Sequence, residues 1–289
     1  MKKTNLLQAL INIDKVKNNN VKEIYTSKNR INNLGDSLEY FIKDLFCNSF
    51  EVEKTDDKEK EYKKYLSYLG NKNNPPDFII KNGDAVEVKK ISSQGSSIAL
   101  NSSFPKNKLH ITDSRITEEC RNIDEDWTVK DMLYVIGVIK SGKLKLLWFI
   151  DGDCYAANKE TYLNTYNSAK EKIQKLESEY TLTQTNEIGK IKNADPLSLT
   201  QLRIRGMWHI ENPLKVYGFL DEVFYDEEND LGVYAIIKKD KYDSFNDEMK
   251  QNLQNKTSDN LKIKDIKIDD PNNSNKKLNA KLIYGIYNF

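Results

Sequence analysis

Residues 74 to 91 of this 289-residue chain read Asn74-Pro75-Pro76-Asp77-Phe78-Ile79-Ile80-Lys81-Asn82-Gly83-Asp84-Ala85-Val86-Glu87-Val88-Lys89-Lys90-Ile91. Two apolar runs flank an Asn-Gly pair, which is a strong signal for a tight β-hairpin. Because side chains alternate between the faces of a strand, Glu87 and Lys89 share one face, while Val86 and Val88 point into a core. The hairpin can also bring the carboxylate of Asp77 beside Glu87.

The segments around this hairpin predict an α/β fold with a central mixed sheet flanked by helices. Residues 34–46 place apolar side chains at helical spacing, and roughly the first 70 residues are predicted to be mainly helical, including a charged helix over 54–69. Residues 132–140 and 144–150 predict a second hairpin, whose nearly continuous apolar character suits buried central strands. We further expect helices at 112–122, 159–180 and 196–202, strands at 203–210, 232–238 and 282–286, and a polar loop at 272–277.

Composition excludes several classes of protein. No apolar run is long enough to span a bilayer, and aromatic residues at 10% argue against a disordered chain. With 45 basic and 44 acidic residues the net charge is +1, so nucleic-acid binding would need locally concentrated positive charge. The three cysteines are widely spaced and the chain has only two histidines, which argues against a structural zinc site. Reduced cysteines without a leader segment predict a cytoplasmic protein.

The hairpin's polar face suits chemistry at a phosphodiester. Mg²⁺ prefers hard oxygen ligands, which Asp77, Glu87 and the backbone carbonyl of Val88 could supply. A bound cation would offset charge on the phosphate and acidify a water molecule, while Lys89 could orient that water. The alternative is an ordinary hairpin with solvated Asp, Glu and Lys side chains, because a Glu-x-Lys triplet alone is common.

A larger pattern favours the first interpretation. The Pro-Asp start, the Asn-Gly turn, the apolar opposite face and the Asp-x9-Glu-x-Lys spacing together resemble the PD-(D/E)XK nuclease motif. Within that superfamily the chain is similar to the NgoPII-type type II restriction endonucleases, over roughly residues 30 to 215. The segments that carry this similarity are 74–77, 83–91, 102–106 and 203–213.

This resemblance implies a homodimer that cuts double-stranded DNA at a short palindrome, with GGCC as the candidate site. It implies Mg²⁺ as cofactor, with Mn²⁺ able to substitute, and a cognate DNA methyltransferase in the same host. Asp77, Glu87 and Lys89 would be catalytic. Related nucleases place a further acidic residue on an N-terminal helix near the metal, for which Glu39 is the candidate here and Asp36 the alternative. We expect one endonuclease domain over 1–289, with a catalytic core at about 30–155 and a DNA-recognition region at about 156–289.

Candidate DNA-reading residues lie in two regions. Arg203 and Arg205 are two residues apart on an expected strand, and arginine is the commonest partner of guanine in the major groove. Trp208 and His209 follow, although an edge strand with ordinary surface arginines would look the same. The other candidates are small or basic residues after the catalytic strand that could contact bases or phosphates, namely Gln94, Ser96, Ser102 and Lys106.

Two other functions remain open from the sequence. A repair or junction-resolving nuclease could use the same fold, and a DNA-binding module could carry an inactive nuclease core. The three motif residues are all present, which argues against an inactive core.

Overall fold

The computed structural model describes residues 3–21, 25, 34–71, 73–93, 95–100, 103–123, 126–175, 181–182, 188–192, 195–197, 199–256 and 261–289. The helices are α1 (Leu6–Asn12), α2 (Leu34–Cys47), α3 (Thr55–Tyr65), α4 (Glu118–Arg121), α5 (Gly152–Tyr155), α6 (Lys159–Gln174), α7 (Pro213–Val216), α8 (Lys239–Ser244) and α9 (Asp247–Lys256). The strands are β1 (Leu66–Tyr68), β2 (Phe78–Ile80), β3 (Ala85–Ile91), β4 (Ile98–Leu100), β5 (Lys108–His110), β6 (Val129–Lys140), β7 (Lys143–Asp151), β8 (Thr181–Leu182), β9 (Gly189–Lys192), β10 (Leu202–Ile204), β11 (Trp208–Ile210), β12 (Leu231–Lys238), β13 (Leu261–Asp270) and β14 (Asn273–Tyr287).

The described residues form an α/β fold built on a mixed sheet of nine strands, which confirms the predicted fold class. Eight strands lie in the order β1-β2-β3-β6-β7-β12-β14-β13, and β5 pairs with β6. The β3–β6 and β7–β12 pairs are parallel, whereas the other pairs of this sheet are antiparallel. The central strands β6, β7 and β12 are buried along almost their whole length, as their continuous apolar sequences predict.

Both predicted hairpins are present. Strands β2 and β3 pair antiparallel, with Phe78 opposite Val86, and Asn82 in their turn has a positive φ of 53°. Strands β6 and β7 are joined by Ser141 and Gly142, whose φ angles are 50° and 86°. Two consecutive positive φ angles match the twist of the flanking strands, which is why such turns are favoured in hairpins.

The two faces of the sheet are covered by different cores. On one face α1, α2 and α3 pack against the sheet, and Leu38, Phe41 and Leu45 of α2 are fully or almost fully buried. The opposite face is rich in aromatic residues, where Trp148 and Tyr234 stack at 4.6 Å. Glu87 and Lys89 lie on this second face, as the alternation predicts.

Helix α2 is anchored by a buried carboxylate. Asp44 is fully buried and accepts hydrogen bonds from the hydroxyl groups of Tyr25, Ser49 and Tyr62, at 2.6, 2.7 and 2.8 Å. It also forms a buried ion pair with Lys58 of α3. A buried charge is tolerated only when it is paired and hydrogen-bonded in this way. The network therefore fixes α2, and with it Glu39, relative to the sheet.

Several predicted elements differ in the structure. The helix expected at 112–122 is reduced to α4, because Thr117 caps it by accepting the N–H of Cys120 and the residues before Thr117 form turns. The charged helix expected over 54–69 ends at Tyr65, and β1 follows it. Helix α6 begins at Lys159 as predicted and is described to Gln174; residues 176–180 lie outside the described residues.

The helix expected at 196–202 is wrong. The carboxylate of Asp195 accepts the backbone N–H groups of Leu197, Leu199 and Thr200, at 3.0, 3.2 and 2.6 Å. A side chain that satisfies these donors offers the backbone an alternative to a helix. The described part of this segment is accordingly a turn that leads into β10.

Two strand predictions also need correction. The strand expected over 203–210 is divided into β10 and β11, because each pairs with a different partner. The polar loop expected at 272–277 is wrong, since β14 already begins at Asn273 and pairs with β13. Backbone hydrogen bonds to a neighbouring strand form whatever the side chains are, so polarity alone did not reveal this strand.

The described helices are short or polar. None is both long and apolar enough to cross a membrane.

Candidate active site

Asp77 enters the site just before β2. Its backbone N–H donates to the carbonyl of Val86 at 3.0 Å, and its Oδ2 accepts the N–H of Val88 at 2.6 Å. Both bonds tie it to β3, which carries Glu87 and Lys89. Burial and the charge of Glu87 raise the pKa of Asp77 to about 8, although Lys89 and the Val88 N–H act in the opposite direction.

Glu87 and Lys89 form the other half of the site. The Lys89 ammonium donates to Oε1 of Glu87 at 2.5 Å. The second oxygen of Glu87, Oε2, is buried and has no hydrogen-bond partner among the described residues. Burial opposes the charge of Lys89, but Glu87 and Asp77 outweigh it and raise the pKa of Lys89. Lys89 therefore stays protonated at neutral pH.

The three predicted catalytic side chains line one pocket of about 150 Å³. The remaining lining residues come from the loop before β2, from the end of β4, from the segment before β5 and from β6: Asn71, Asn73, Asn74, Pro75, Leu100, Ser103, Phe104, Lys106, Met132 and Tyr134. Polar and apolar side chains thus line the pocket together.

The donor set of this pocket fits a divalent cation. Asp77 and Glu87 supply hard oxygen atoms, and the unpartnered Oε2 of Glu87 is a buried acceptor that a cation would satisfy. Within the described residues no group of three or more His, Cys, Asp or Glu side chains is gathered closely enough to hold a metal ion. A cation held by two carboxylates would complete its coordination with water or backbone oxygen, as Mg²⁺ commonly does.

Glu39 lies close enough to act on the site electrostatically. Its charge is among the causes that raise the pKa of Asp77 and of Lys89. Its own carboxylate accepts a hydrogen bond of 2.6 Å from the ammonium of Lys43, which also donates a hydrogen bond of 2.8 Å to the carbonyl of Leu69. Asp36, the alternative, lies in the first turn of the same helix.

The predicted DNA-reading residues of the 203–209 segment are separated. Arg203 lies in β10, which pairs with β9, whereas Arg205 follows that strand; both are exposed. His209 lies in β11, which pairs with β4, and its Nδ1 is 3.0 Å from the hydroxyl oxygen of Ser97. The structure therefore brings His209, but not Arg203, into the small sheet that follows the catalytic strand.

The other predicted DNA contacts also differ in their positions. Ser96 is exposed, and its carbonyl accepts the side-chain amide of Asn212 at 3.1 Å. Gln94 and Ser102 lie outside the described residues. Lys106 is not on the surface: it is only 5% exposed and lines the pocket beside the predicted catalytic residues.

Sequence reasoning missed Tyr134, which also lines the pocket. Tyr134 is opposite Glu87 in the β3–β6 pairing, and its hydroxyl group bonds the backbone of Lys106 twice. The sequence did contain one signal for it, a tyrosine within an otherwise apolar run that predicts a central strand. A buried phenol hydroxyl needs a polar partner, so such a tyrosine indicates a polar contact inside the fold.

Comparisons with known proteins match almost the whole chain. The sequence model of the NgoPII restriction endonuclease family matches residues 4–269. The chain is 42% identical over 280 residues to the type II restriction enzyme NgoPII of Neisseria gonorrhoeae, which covers 96% of this chain and 98% of that protein. No solved structure matches. With its predicted catalytic residues gathered in one pocket and this similarity over nearly its full length, the chain belongs to the NgoPII restriction endonuclease family.

Proposed function

We propose that this protein is a type II restriction endonuclease that hydrolyses double-stranded DNA at a short palindrome, with GGCC as the candidate site. Family membership supports site-specific cleavage, because the similar protein from Neisseria gonorrhoeae is named a type II restriction enzyme. The observation that carries the chemistry is the pocket in which Asp77 and Glu87 lie together, with Lys89 bonded to one oxygen of Glu87 and the other oxygen unpartnered.

In this proposal Asp77, Glu87 and the carbonyl of Val88 hold Mg²⁺, for which Mn²⁺ can substitute, and Glu39 adds a further acidic group. When bound, the cation offsets negative charge on the phosphate and acidifies a water molecule. Lys89 orients the attacking water and stabilises the charge that develops at phosphorus. Water attacks in line with the leaving 3′ oxygen, so the products carry 5′-phosphate and 3′-hydroxyl ends.

Cleavage of both strands of a palindrome requires two active sites, which a homodimer with twofold symmetry supplies. We propose the exposed Arg203, Arg205 and His209 as DNA-reading residues, with Lys106 as a phosphate contact. Ser96, Gln94 and Ser102 complete the proposed contacts after the catalytic strand. A cytoplasmic location and a cognate DNA methyltransferase in the same host follow from a restriction function, since the host's own sites would otherwise be cut.

Plasmid digestion tests this function directly. The purified protein is incubated with plasmid of known sequence in Mg²⁺, in Mn²⁺, in Ca²⁺ and in EDTA, and the ends of any fragments are sequenced. We expect discrete fragments with Mg²⁺ or Mn²⁺, no cutting in EDTA, and binding with little hydrolysis in Ca²⁺, whose looser coordination positions water poorly.

Other outcomes would replace the proposal. A smear without preferred ends would favour a repair nuclease, and cutting restricted to branched substrates would favour a junction-resolving enzyme. DNA binding without any cleavage would indicate an inactive core. Full activity in EDTA would contradict the metal-dependent mechanism.

A further inference from the structure

A second lysine reaches the active-site pocket from the segment before β5. Lys106 is 5% exposed, and within the described part of the chain its ammonium donates one hydrogen bond, of 2.7 Å, to the hydroxyl oxygen of Ser103. The ammonium lies 3.8 Å from the centre of the Phe104 ring. Ser103, Phe104 and Lys106 all line the pocket that Asp77 and Glu87 share.

The backbone of Lys106 is clamped to the strand beside the catalytic strand. The hydroxyl group of Tyr134 accepts the N–H of Lys106 at 2.7 Å and donates to its carbonyl at 3.0 Å. Tyr134 is 2% exposed and lies directly opposite Glu87 in the parallel pairing of β3 and β6. The backbone of Lys106 is therefore held by β6, the strand that pairs with the strand carrying Glu87.

The charge of Lys106 is incompletely compensated. The carboxylate that pairs with it, that of Asp113, is 4.0 Å away, beyond hydrogen-bond distance. That carboxylate is already engaged by the Lys159 ammonium at 3.0 Å and by the His110 N–H at 3.3 Å. Burial accordingly lowers the pKa of Lys106, although Asp113 and Glu87 partly oppose this. A buried ammonium with one hydrogen bond to a neutral hydroxyl gains from an anionic partner.

We propose that Lys106 is a second lysine of the active site, whose ammonium binds a non-bridging oxygen of the scissile phosphate. The inference deepens the proposed nuclease function and rests on it. It differs from a general contact to the DNA backbone, because Lys106 is 5% exposed and lines the pocket that holds Asp77 and Glu87. Attack at phosphorus adds negative charge to the phosphate oxygens, so a fixed cation there stabilises the transition state more than the bound substrate.

The rival explanation is that Lys106 only offsets the charge of Glu87 and Asp113 within the fold. Both explanations predict slower cleavage when the charge is removed. They differ in one respect. If Lys106 contacts the scissile phosphate, its contribution to DNA binding must depend on the negative charge of that phosphate.

The test uses the full-length protein and a duplex that contains the cut site mapped for the wild type. One version of the duplex carries a neutral methylphosphonate at the scissile linkage. Binding of both duplexes is measured in EDTA for the wild type and for Lys106→Met, which keeps the stem over Phe104. Single-turnover cleavage of the natural duplex is measured in Mg²⁺. Lys130→Met is the matched control, since Lys130 is 8% exposed, lies 5.5 Å from the Trp127 ring and does not line the pocket.

We expect Lys106→Met to slow cleavage by roughly 10²-fold, the usual loss when one fixed donor to a transition state is removed. The methylphosphonate should change DNA binding by the same factor in the wild type and in Lys130→Met. In Lys106→Met the neutral duplex should bind better, relative to the natural duplex, than it does in the wild type. Lys106→Gln provides the same comparison if methionine prevents folding, which thermal melting would reveal.

Equal methylphosphonate effects in the wild type and both Lys106 variants would overturn this inference, as would wild-type cleavage by Lys106→Met. These results leave the proposed function intact, because the wild type still cuts. A wild type that yields no discrete fragments overturns the proposed function, and this inference with it.

Discussion

The backbone N–H of Val88 donates a hydrogen bond of 2.6 Å to Oδ2 of Asp77. The carboxylate is therefore held by the same strand that carries Glu87 and Lys89. Asp77 also donates its own N–H to Val86, so the start of β2 cannot shift without disturbing β3. These two hydrogen bonds fix Asp77 relative to Glu87 and Lys89, because both are made to the backbone of the strand that carries them.

The first prediction concerns the catalytic residues. We expect Asp77→Ala, Glu87→Ala and Lys89→Ala each to reduce the cleavage rate by roughly 10³-fold or more. When catalytic residues act as a unit, the loss of one removes most of the contribution of the others. DNA binding should persist, and should tighten for Glu87→Ala, because this change removes negative charge near phosphate. The measurements are single-turnover cleavage and filter binding, with circular dichroism as the folding control. A variant that cuts at the wild-type rate would remove that residue from the mechanism.

The second prediction concerns pH and stability without a divalent cation. The pKa of Asp77 is raised to about 8 by burial and by Glu87, whereas an unfolded aspartate titrates near pH ~4. Between these values the folded state binds more protons than the unfolded state, so stability falls as the pH rises through this window. Asp77→Asn removes the effect.

We therefore expect Asp77→Asn to be more stable than the wild type at about pH 8, by at least ~1 kcal/mol, and the difference to shrink toward about pH 4. Urea denaturation in EDTA over a pH series measures it. A difference that does not change with pH would contradict the raised pKa. Added Mg²⁺ should stabilise the wild type more than the variant, because binding favours the folded state.

The third prediction concerns the close approach of Gly70 to Asp77. Gly70 has a φ of +78°, and a Cβ atom at this position would lie 2.0 Å from the carbonyl oxygen of Asp77. Gly70→Ala must therefore move the backbone that positions the Asp77 carboxylate, in addition to the cost of about 1 kcal/mol for a left-handed conformation. We expect a lower melting temperature and at least tenfold slower cleavage. Gly95→Ala is the control for stability, since its Cβ meets nothing within 4 Å; equal melting temperatures for the two variants would contradict the prediction.

The fourth prediction concerns sequence readout. If Arg203 or Arg205 contacts guanine, its change to alanine should weaken cognate binding by about one to two decades, since such a contact contributes roughly 1–3 kcal/mol of discrimination. Binding to a scrambled duplex should change far less. An arginine that contacts phosphate would instead weaken binding to both duplexes and reduce the salt slope by about one. Competition binding over a salt series separates these cases, and equal losses for both variants would assign the segment to the DNA backbone.

Local sequence was sufficient for the centre of the fold and for half of the candidate site. The Asn-Gly turn and the alternation of β3 depend only on neighbouring residues, so the hairpin and the shared face of Glu87 and Lys89 could be predicted. The apolar runs of β6 and β7 likewise predicted buried central strands.

Tertiary structure decided what depends on residues far apart in the chain. Lys106 was predicted as a DNA contact from its charge alone, but its place inside the pocket depends on Tyr134, 28 residues away. The sequence of the 203–210 segment predicts one continuous strand. In the fold β10 pairs with β9 and β11 pairs with β4, so the segment is divided into two strands. Long-range pairing and burial are properties of the whole chain, because each backbone group bonds whichever partner the folded core brings to it. The sequence by itself determined the identity and spacing of the predicted catalytic groups, and only the fold determined which other charges surround them.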